Sequence, residues 1–316
     1  MTKLLRIAFA AVLLTLSGYP IAAQNAATYP TQVVKIIVPF SAGSLTDMLA
    51  RTLSDKLGAT WKQPVVVENH PGIAGTVLAA KSAADGHTLL LTSNGHTIIK
   101  SINPSIPFDP ARDFVGVTKL VSMPMIMIAP PTADHDSVQK IVARAQSRPG
   151  AMSFASAGLA SAAYIAGELF KKTKNLDIVH IPYKGTPDAQ TSIMRGDTDF
   201  FFSPAALSDG LINTAKVKAL AVTGTARVPS LPDVPTFREA GVPEYEYDAW
   251  FGLLAPASTP QDVLDRISKD VATAMAEPDV RDRLAKQGTT VATSTPTQFT
   301  DILRKDTDRF SAMLKK

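Results

Sequence analysis

Cysteine is absent from the 316-residue sequence. Without cysteine the protein has no disulfide bonds, no thiolate metal site and no cysteine nucleophile. Its stability must therefore come from a buried core, which a hydrophobic content of 45% can supply. Runs of basic residues are also missing, because lysine and arginine are scattered among acidic residues and the formal net charge is only +4. This pattern argues against nucleic acids and anionic membranes as partners.

The common motifs of enzymes are missing as well. The chain contains no GxSxG nucleophile motif, no HExxH zinc motif and no phosphate-binding P-loop. Its five histidines, at positions 70, 87, 96, 135 and 180, do not show the spacing of metal ligands. Ser93 and His96 are close in sequence, but no acid that would orient the histidine accompanies them. We therefore expect no metal, no cofactor and no catalytic residue.

Residues 1–23 have the order of a secretory signal peptide. Lys3 and Arg6 precede an apolar run at residues 7–16, and the small residues Ala22 and Ala23 follow it. The run is too short to span a membrane. We expect cleavage after Ala23 and export to the periplasm, without a lipid anchor because there is no cysteine. Since cleavage removes Lys3 and Arg6, the exported chain carries a formal charge of +2.

From Val33 onward, short apolar runs alternate with helical patterns, which indicates an α/β fold. The chain after the signal peptide, about 290 residues long, is more typical of two domains than of one. Two apolar runs that reach a proline, residues 125–130 and 250–256, are interpreted as the places where the chain crosses between domains. We expect one discontinuous lobe from residues 28–128 and 250–316 and a second lobe from residues 129–249.

The stretch from Lys35 to Ala50 predicts an anion-binding helix start. A buried strand at residues 36–38 is followed by the small loop 41–44, and a helical pattern runs on from Thr46. Unpaired backbone N–H groups and the positive end of the helix dipole then lie at the sheet edge. The alternative is an ordinary turn in which Ser44 or Thr46 only caps the helix, and this stretch alone favours that alternative.

The same design recurs in the second half of the chain, where a strand at residues 152–155 precedes the loop 156–161 and a helix at 162–172. Two such loops in two lobes suggest a clamp that holds an acidic ligand through backbone N–H groups, hydroxyls and helix dipoles, without a positive side chain. His96 is either a ligand donor or a simple loop residue, and Asp47 is either a ligand contact or a partner of the helix dipole. The candidate ligand-binding residues are Ser41, Ala42, Gly43, Ser44, Thr46, Asp47, Ser93, Asn94, Gly95, His96, Ser156, Ala157, Gly158, Ser161, Tyr183, Lys184, Gly185 and Ser203.

Seven segments together resemble the substrate-binding proteins of tripartite tricarboxylate transporters, the Bug family of periplasmic receptors. The resemblance covers essentially the whole exported chain and implies a type II periplasmic-binding fold, with two Rossmann-like α/β lobes joined by a double-crossing hinge. It also implies a cleft for small carboxylates at residues 41–47 and 156–161, a monomer, and the permease subunits of a secondary transporter as partners. The segments are YPTQVVKIIVPFSAGSLTDMLAR, VVVENHPGIAG, DGHTLLLTSNGH, INPSIPFDPARDF, IVHIPYKGTPDA, VKALAVTGTARVPSLPDVPTFREAG and WFGLLAPASTP.

The chain departs from this family's usual pattern at two places. Residues 41–47 read SAGSLTD where many members have PPGGGTD, and Ser203-Pro204 stands where many carry Asp-Asn. Losing that aspartate argues against an amino-acid ligand, whereas dicarboxylates, tricarboxylates, aromatic acids and nicotinate-like acids all fit the expected chemistry. The competing functions are a periplasmic enzyme and a ligand sensor that acts on a small carboxylate with the same fold.

Overall fold

The computed structural model describes residues 27–314, so the predicted signal peptide lies outside the described residues. No helix within this range is long and apolar enough to cross a lipid bilayer. Residues 27–314 form ten strands, β1 to β10: Val34–Val38, Val65–Asn69, Thr88–Ser93, Phe114–Ala129, Ser153–Ser156, Val179–Pro182, Phe200–Pro204, Lys218–Val222, Asp248–Pro256 and Thr290–Val291. The same range forms ten α-helices, α1 to α10: Leu45–Trp61, Ile73–Ala80, Ile99–Ile102, Val138–Ser147, Ala162–Lys174, Thr186–Arg195, Asp209–Asn213, Gln261–Ala276, Pro278–Lys286 and Pro296–Leu314. The predicted α/β fold is confirmed.

The strands form one sheet in the order β2-β1-β3-β9-β4-β7-β5-β6, and β8 and β10 also pair with β4. Strand β4 belongs to two halves of this sheet. Its residues 114–124 pair with β9 and β10, whereas residues 125–129 pair with β7 and β8. We call β1, β2, β3, β9, β10 and the first part of β4 the first half-sheet. Strands β5 to β8 and the last part of β4 form the second half-sheet.

The chain passes between the half-sheets twice. The first passage lies within β4, directly after Pro124. The second passage lies just before β9, because the N–H of Tyr247 donates to Thr223 O beside the second half-sheet, while Asp248 already pairs with Pro124. The expectation that residues 250–256 form a crossing is wrong, since this part of β9 pairs with β3 and the first part of β4.

Helix α1 forms where the sequence predicts it, and its start is the capping arrangement considered above. The Ser44 side chain accepts a hydrogen bond from Asp47 N at 3.3 Å and so caps the helix. Met48 is 38% exposed, although it falls at the three- and four-residue spacing of the leucines that form a buried stripe along α1. Burying each leucine of that stripe stabilises the fold by about 1.5–3 kcal/mol. The stripe consists of Leu45, Leu49, Leu53 and Leu57, all at most 2% exposed.

Helix α6 has no counterpart among the expectations drawn from the sequence. The side chains that it buries are mostly small or polar, so the apolar period that marks a helix is weak. Its signals lie at its ends, with Pro187 in the first turn and Gly196 in the left-handed conformation that ends a helix. Helix α2 begins at Ile73, directly after Gly72. The omission of α6 matters because this helix begins at the site described next.

Candidate functional site

Three helices begin at one cavity between the half-sheets. They are α1, α5 and α6, which follow β1, β5 and β6. The cavity has a volume of about 20 Å³, room for about one water molecule, for which roughly 10–15 Å³ suffices. It is lined by Phe40, Ser44, Leu45, Thr46, Ser93, Met125, Ala157, Ser161, Ala162, Ala163, Thr186, Phe201, Pro204 and Phe251. The carboxyl ends of parallel strands meet at one edge of a sheet, and this geometry brings the three helix starts together.

Backbone amides of the first helical turns are the distinctive polar groups of this cavity. A first-turn N–H has no acceptor inside its own helix, and the helix dipole adds partial positive charge there. None of the described residues that line the cavity is charged. Oriented backbone donors without a charged side chain beside them are the chemistry that suits an anion. Five lining residues hold first-turn positions: Leu45, Thr46, Ala162, Ala163 and Thr186.

One carboxylate oxygen of Asp47 is bonded within the protein, while the other, Oδ1, is buried without a hydrogen-bond partner among the described residues. Its Oδ2 accepts hydrogen bonds from Gly43 N at 2.9 Å and from Arg51 Nε at 3.0 Å. Burial by itself would raise the pKa of Asp47, but these two bonds, with Asn69 and the positive charge of Arg51, outweigh it and hold the pKa below its ordinary value. The carboxylate thus stays ionised, fixes the loop before α1 and sits in the first helical turn. This placement matches the reading of Asp47 as a dipole partner.

The start of α5 is fixed by two loop residues. The Ser161 hydroxyl donates to Gly158 O at 2.6 Å and accepts from Tyr164 N at 3.2 Å, which is the geometry of a helix cap. Gly158 has φ +108°, a conformation that residues with a side chain rarely adopt. Because the Ser161 hydroxyl is used in this way, the groups that α5 offers to a ligand are its first-turn amides.

The start of α6 contacts the loop before α1 directly. The N–H of Ser41, beside the first half-sheet, donates to Lys184 O, beside the second, at 3.0 Å. A Cβ built on Gly185 would overlap the Ser41 hydroxyl, whose oxygen is buried without a hydrogen-bond partner among the described residues. Thr186 is 4% exposed and lines the cavity, and its hydroxyl likewise has no partner within residues 27–314. Gly185 is among the predicted site residues but Thr186 is not, although the pair Thr186-Pro187 marks a helix start that would have revealed it.

The floor of the cavity is apolar. It consists of Met125 on β4, Phe201 on β7 and Phe251 on β9, with Phe40 beside them. Three consecutive phenylalanines at residues 200–202 are typical of a core strand, and all three are fully buried. It is Phe201 that lines the cavity, because neighbouring residues of a strand point to opposite faces and Phe202 packs on Phe170 and Tyr245 instead.

The segment after β3 forms a short 3₁₀ helix, Asn94–Ile98. The His96 ring lies between two phenylalanine rings, 6.3 Å from Phe108 and 5.0 Å from Phe114. Burial lowers the pKa of His96 to about 4, so the ring is neutral at neutral pH. The structure therefore places His96 in the core of the first half-sheet rather than at the cavity. The Tyr247 hydroxyl lies 2.9 Å from Asn94 Oδ1 and 3.0 Å from Ala162 O, so it links both sides of the cavity.

Several predicted site residues have partners away from the cavity. Ser203 Oγ accepts a hydrogen bond from Gln190 Nε2 at 3.1 Å. Ser156 Oγ lies 2.7 Å from Nε2 of His180, whose pKa burial and the charge of Lys171 lower to about 4. Within residues 27–314 no carboxylate bonds to His180, so this pair lacks the orienting acid of a catalytic triad.

Of the eighteen predicted site residues, the structure brings five to the inner cavity. Three others line an outer groove of about 790 Å³, which shares Ala157 with the cavity. The five are Ser44, Thr46, Ser93, Ala157 and Ser161, and the three are Gly158, Tyr183 and Lys184. The remaining ten do not line either space: Ser41, Ala42, Gly43, Asp47, Asn94, Gly95, His96, Ser156, Gly185 and Ser203. Among residues 27–314 no cluster of histidine and acidic side chains could hold a metal ion.

The fold and the cavity define a periplasmic binding protein, a class in which two α/β halves enclose a ligand site. Solved structures of this class are similar to the chain. MatC from Rhodopseudomonas palustris with bound malate is 29% identical with a TM-score of 0.84, over 91% of this chain and all of MatC. A second R. palustris protein, with adipate, is 28% identical with a TM-score of 0.83, over 90% of this chain and 97% of that one.

Sequence comparison specifies the family. The model of the tripartite tricarboxylate transporter family receptor matches residues 49–316. BugT of Bordetella pertussis is 33% identical over 92% of this chain and 91% of its own length. The chain therefore belongs to the tripartite tricarboxylate transporter receptor family and is a periplasmic solute-binding protein. The resemblance seen in the sequence is confirmed, and the family is one of receptors rather than enzymes.

Proposed function

We propose that the protein captures a small organic carboxylate between its two halves and delivers it to the membrane permease of a tripartite tricarboxylate-type transporter. The observation that carries this proposal is the convergence of five first-turn amides, from three helices, on one cavity without a charged side chain. Such a site binds an anion by oriented backbone donors. The malate and adipate bound to the two related structures support a carboxylate as that anion.

The binding free energy that such a site can supply is adequate for a receptor. A hydrogen bond to a charged group contributes about 1.5–3 kcal/mol, and a helix N-terminus up to about 2 kcal/mol in a partly buried position. Four or five such bonds contribute roughly 6–15 kcal/mol together, a range that includes the roughly 8 kcal/mol of micromolar binding, and the upper part of this range also offsets the ordering of ligand and loops. No positive side chain is needed.

The remaining parts of the proposal follow from receptor function. Residues 1–23 direct export and are removed, and the mature protein works as a monomer in the periplasm. Because residues 125–129 of β4 pair with the second half-sheet and Asp248 pairs with Pro124, the lobe bounds expected from the sequence shift slightly: residues 28–124 with 248–316 move as one lobe and residues 125–247 as the other, with the two chain passages beside Pro124 and Asp248 acting as the hinge. The protein binds its ligand without converting it, so incubation leaves the carboxylate chemically unchanged.

Calorimetry of matched ligands tests the carboxylate site. Malate and adipate are titrated beside their diamides, which keep the carbon skeleton and remove the charge. We expect binding of at least one acid and none of its diamide at the same concentration, with the acid raising the melting temperature. Equal affinities for acid and amide would contradict the proposal that the helix starts bind the carboxylate.

A single hydroxyl provides the matched variant for the same experiment. Thr186→Val removes the unpartnered hydroxyl from the cavity with little change of volume, and we expect a threefold to tenfold loss of carboxylate affinity, about one hydrogen bond. Thr173→Val is the control, because that hydroxyl bonds to Leu169 O within α5, away from the cavity. Ligand recovered unchanged after overnight incubation, measured by chromatography, tests the absence of turnover.

A further inference from the structure

We infer that the ligand of this site carries one carboxylate on an apolar body, as in a short aliphatic or aromatic monocarboxylate, rather than two or three carboxylates. The inference rests on the proposed function and narrows its ligand class. It comes from comparing the hydrogen-bond donors of the cavity with the hydrogen-bond acceptors that a ligand would place there.

The donors of the cavity match a single carboxylate. An ionised carboxylate has two oxygens with about four lone-pair sites. The five first-turn amides and the Thr186 hydroxyl supply six donors, all from residues that line one small cavity. One carboxylate uses most of them, and too few remain for a second carboxylate.

The other hydroxyls of the cavity are already bonded inside the protein. Ser44 Oγ and Thr46 Oγ1 lie 2.9 Å apart and bond to each other, and Ser44 also caps α1. Ser161 Oγ is bonded to Gly158 O at 2.6 Å, and Ser93 Oγ reaches Ala160 O at 3.4 Å. A hydroxyl or second carboxylate on the ligand would have to displace these bonds, two of which hold helix caps in place, or compete for the single hydroxyl proton that the Ser44–Thr46 pair leaves unused.

The rest of the lining is hydrocarbon or thioether. Phe40, Met125, Phe201 and Phe251 border the cavity and are each at most 5% exposed. The cationic side chains Lys184 and Arg195 line the outer groove rather than the cavity, and Asp188 and Asp197 accompany them there. A second carboxylate would therefore be buried against apolar groups without a counter-charge, which strongly opposes binding. An alkyl or aryl body has no such penalty and gains from leaving water.

Entry of such a body requires the two sides of the cavity to separate. The present volume of about 20 Å³ is smaller than any organic acid, and the Ser41–Lys184 backbone bond holds the sides together. When they separate, the floor formed by Met125, Phe201 and Phe251 becomes the surface against which the ligand body packs. The amides of α1 on one side and those of α5 and α6 on the other then close over the carboxylate.

Calorimetry with pentanoate and glutarate tests the inference on the unmodified protein, because these acids differ only by a methyl group in place of a second carboxylate. We expect pentanoate to bind at least tenfold more tightly than glutarate. From propanoate to pentanoate the affinity should rise about fourfold per methylene, which corresponds to about 0.8 kcal/mol. Glutarate binding as tightly as pentanoate, or more tightly, overturns the inference and leaves the proposed function standing. If malate, adipate, pentanoate and glutarate all fail to bind, the proposed function falls and the inference falls with it.

A pair of methionine variants provides a second, independent measurement. Met125→Gln places an amide in the apolar floor at nearly constant volume, and Met152→Gln makes the same exchange at an equally buried methionine that does not line the cavity. We expect the pentanoate-to-glutarate affinity ratio to fall at least fivefold in Met125→Gln and to stay unchanged in Met152→Gln. An unchanged ratio in a folded Met125→Gln protein would contradict the apolar floor.

Discussion

Gly95 packs so closely against the backbone of Ala160 that no side-chain atom fits between the two residues. A Cβ built on Gly95 would overlap the carbonyl group of Ala160 and lie 2.5 Å from Ser161 N. Gly95 follows the first half-sheet strand β3, whereas Ala160 lies in the loop before α5 of the second. The two sides of the cavity therefore meet backbone to backbone, and the glycine is required for that approach.

We predict that Gly95→Ala prevents the sides of the cavity from meeting as they do here. The added methyl faces backbone atoms, which cannot rotate away as the end of a side chain can. Carboxylate affinity should fall tenfold or more, about 1.4 kcal/mol, because the closed arrangement then carries an extra free-energy cost. Calorimetry gives the affinity, and small-angle X-ray scattering with ligand should show a larger radius of gyration than the parent.

Gly210→Ala is the matched control, since a Cβ at Gly210 meets no heavy atom within 4 Å. Its affinity and radius of gyration should equal those of the parent. If Gly95→Ala also behaves like the parent, the contact between Gly95 and Ala160 is not part of ligand binding.

We predict that Tyr247→Phe weakens ligand binding as well as stability. Its hydroxyl lies within hydrogen-bond distance of Asn94 Oδ1 on one side of the cavity and of Ala162 O on the other. Removing this link should lower carboxylate affinity about threefold to tenfold, the equivalent of one hydrogen bond.

Tyr245→Phe is the control for that effect, because the Tyr245 hydroxyl donates to Ala166 O, within the second half of the molecule. Both variants should melt at a lower temperature than the parent, but only Tyr247→Phe should lose affinity. Equal affinity losses in the two variants would show that Tyr247 acts only through general stability.

We predict that Trp250→Phe destabilises the fold more than Trp61→Phe does. Trp250 Nε1 donates to Asp306 at 2.6 Å, and Trp61 Nε1 donates to Asp270 at 2.7 Å. When Trp61 is replaced, Asp270 keeps its ion pair with Arg266. When Trp250 is replaced, the half-buried Asp306 loses a hydrogen bond that lowers its pKa and so partly offsets the rise caused by burial. The free energy of unfolding in urea should fall by about 1–2 kcal/mol more in Trp250→Phe, and equal losses would contradict this assignment.

The same geometry revises an expectation about the hinge. The interpretation of residues 250–256 as a crossing predicts that closure of the lobes changes the fluorescence of Trp250 and leaves that of Trp61 unchanged. The structure packs Trp250 on Phe299, 5.0 Å away, inside the core of the first half-sheet. We now expect neither indole to report closure, so ligand should change the intrinsic fluorescence little.

We predict that His96 makes the fold acid-sensitive. Burial lowers the pKa of His96 to about 4 in the folded protein, against about 6.5 in the unfolded chain. Between these values the unfolded chain binds a proton that the folded protein does not, so stability is full above pH 6.5 and falls as the pH approaches 4. The total loss from this residue is about 3 kcal/mol.

His96→Phe tests this linkage, because the new ring keeps the stacking with Phe108 and Phe114 and cannot titrate. Urea unfolding at pH 7, 5.5 and 4 should show a smaller loss of stability in this variant than in the parent. His70→Phe, at a side chain that is 42% exposed, is the control and should lose as much as the parent. A parent-like loss in His96→Phe would mean that other groups cause the acid sensitivity.

Local sequence was sufficient for the parts of the site that are built locally. The helix start at Ser44 and the one at Ser161 follow from a buried strand, a loop of small residues and a capping hydroxyl within about ten residues. Helix α6 escaped prediction because its buried side chains are small or polar, so the signal of the core was missing although both ends were marked.

By itself, the sequence determined the α/β class, the helix starts after Ser44 and Ser161 and the family, because these depend on patterns along short stretches. Only the tertiary structure decided which side chains meet in the cavity. Asn94 and Tyr247 are 153 residues apart, and Phe201 rather than Phe202 faces the cavity because of the register of β7 beside β4. Contacts of this kind depend on how distant strands pair and how helices pack on them, and a one-residue change of register would reverse them. The physical reason is that strand and helix periods act over a few residues, whereas the cavity is formed by elements from both halves of the sheet.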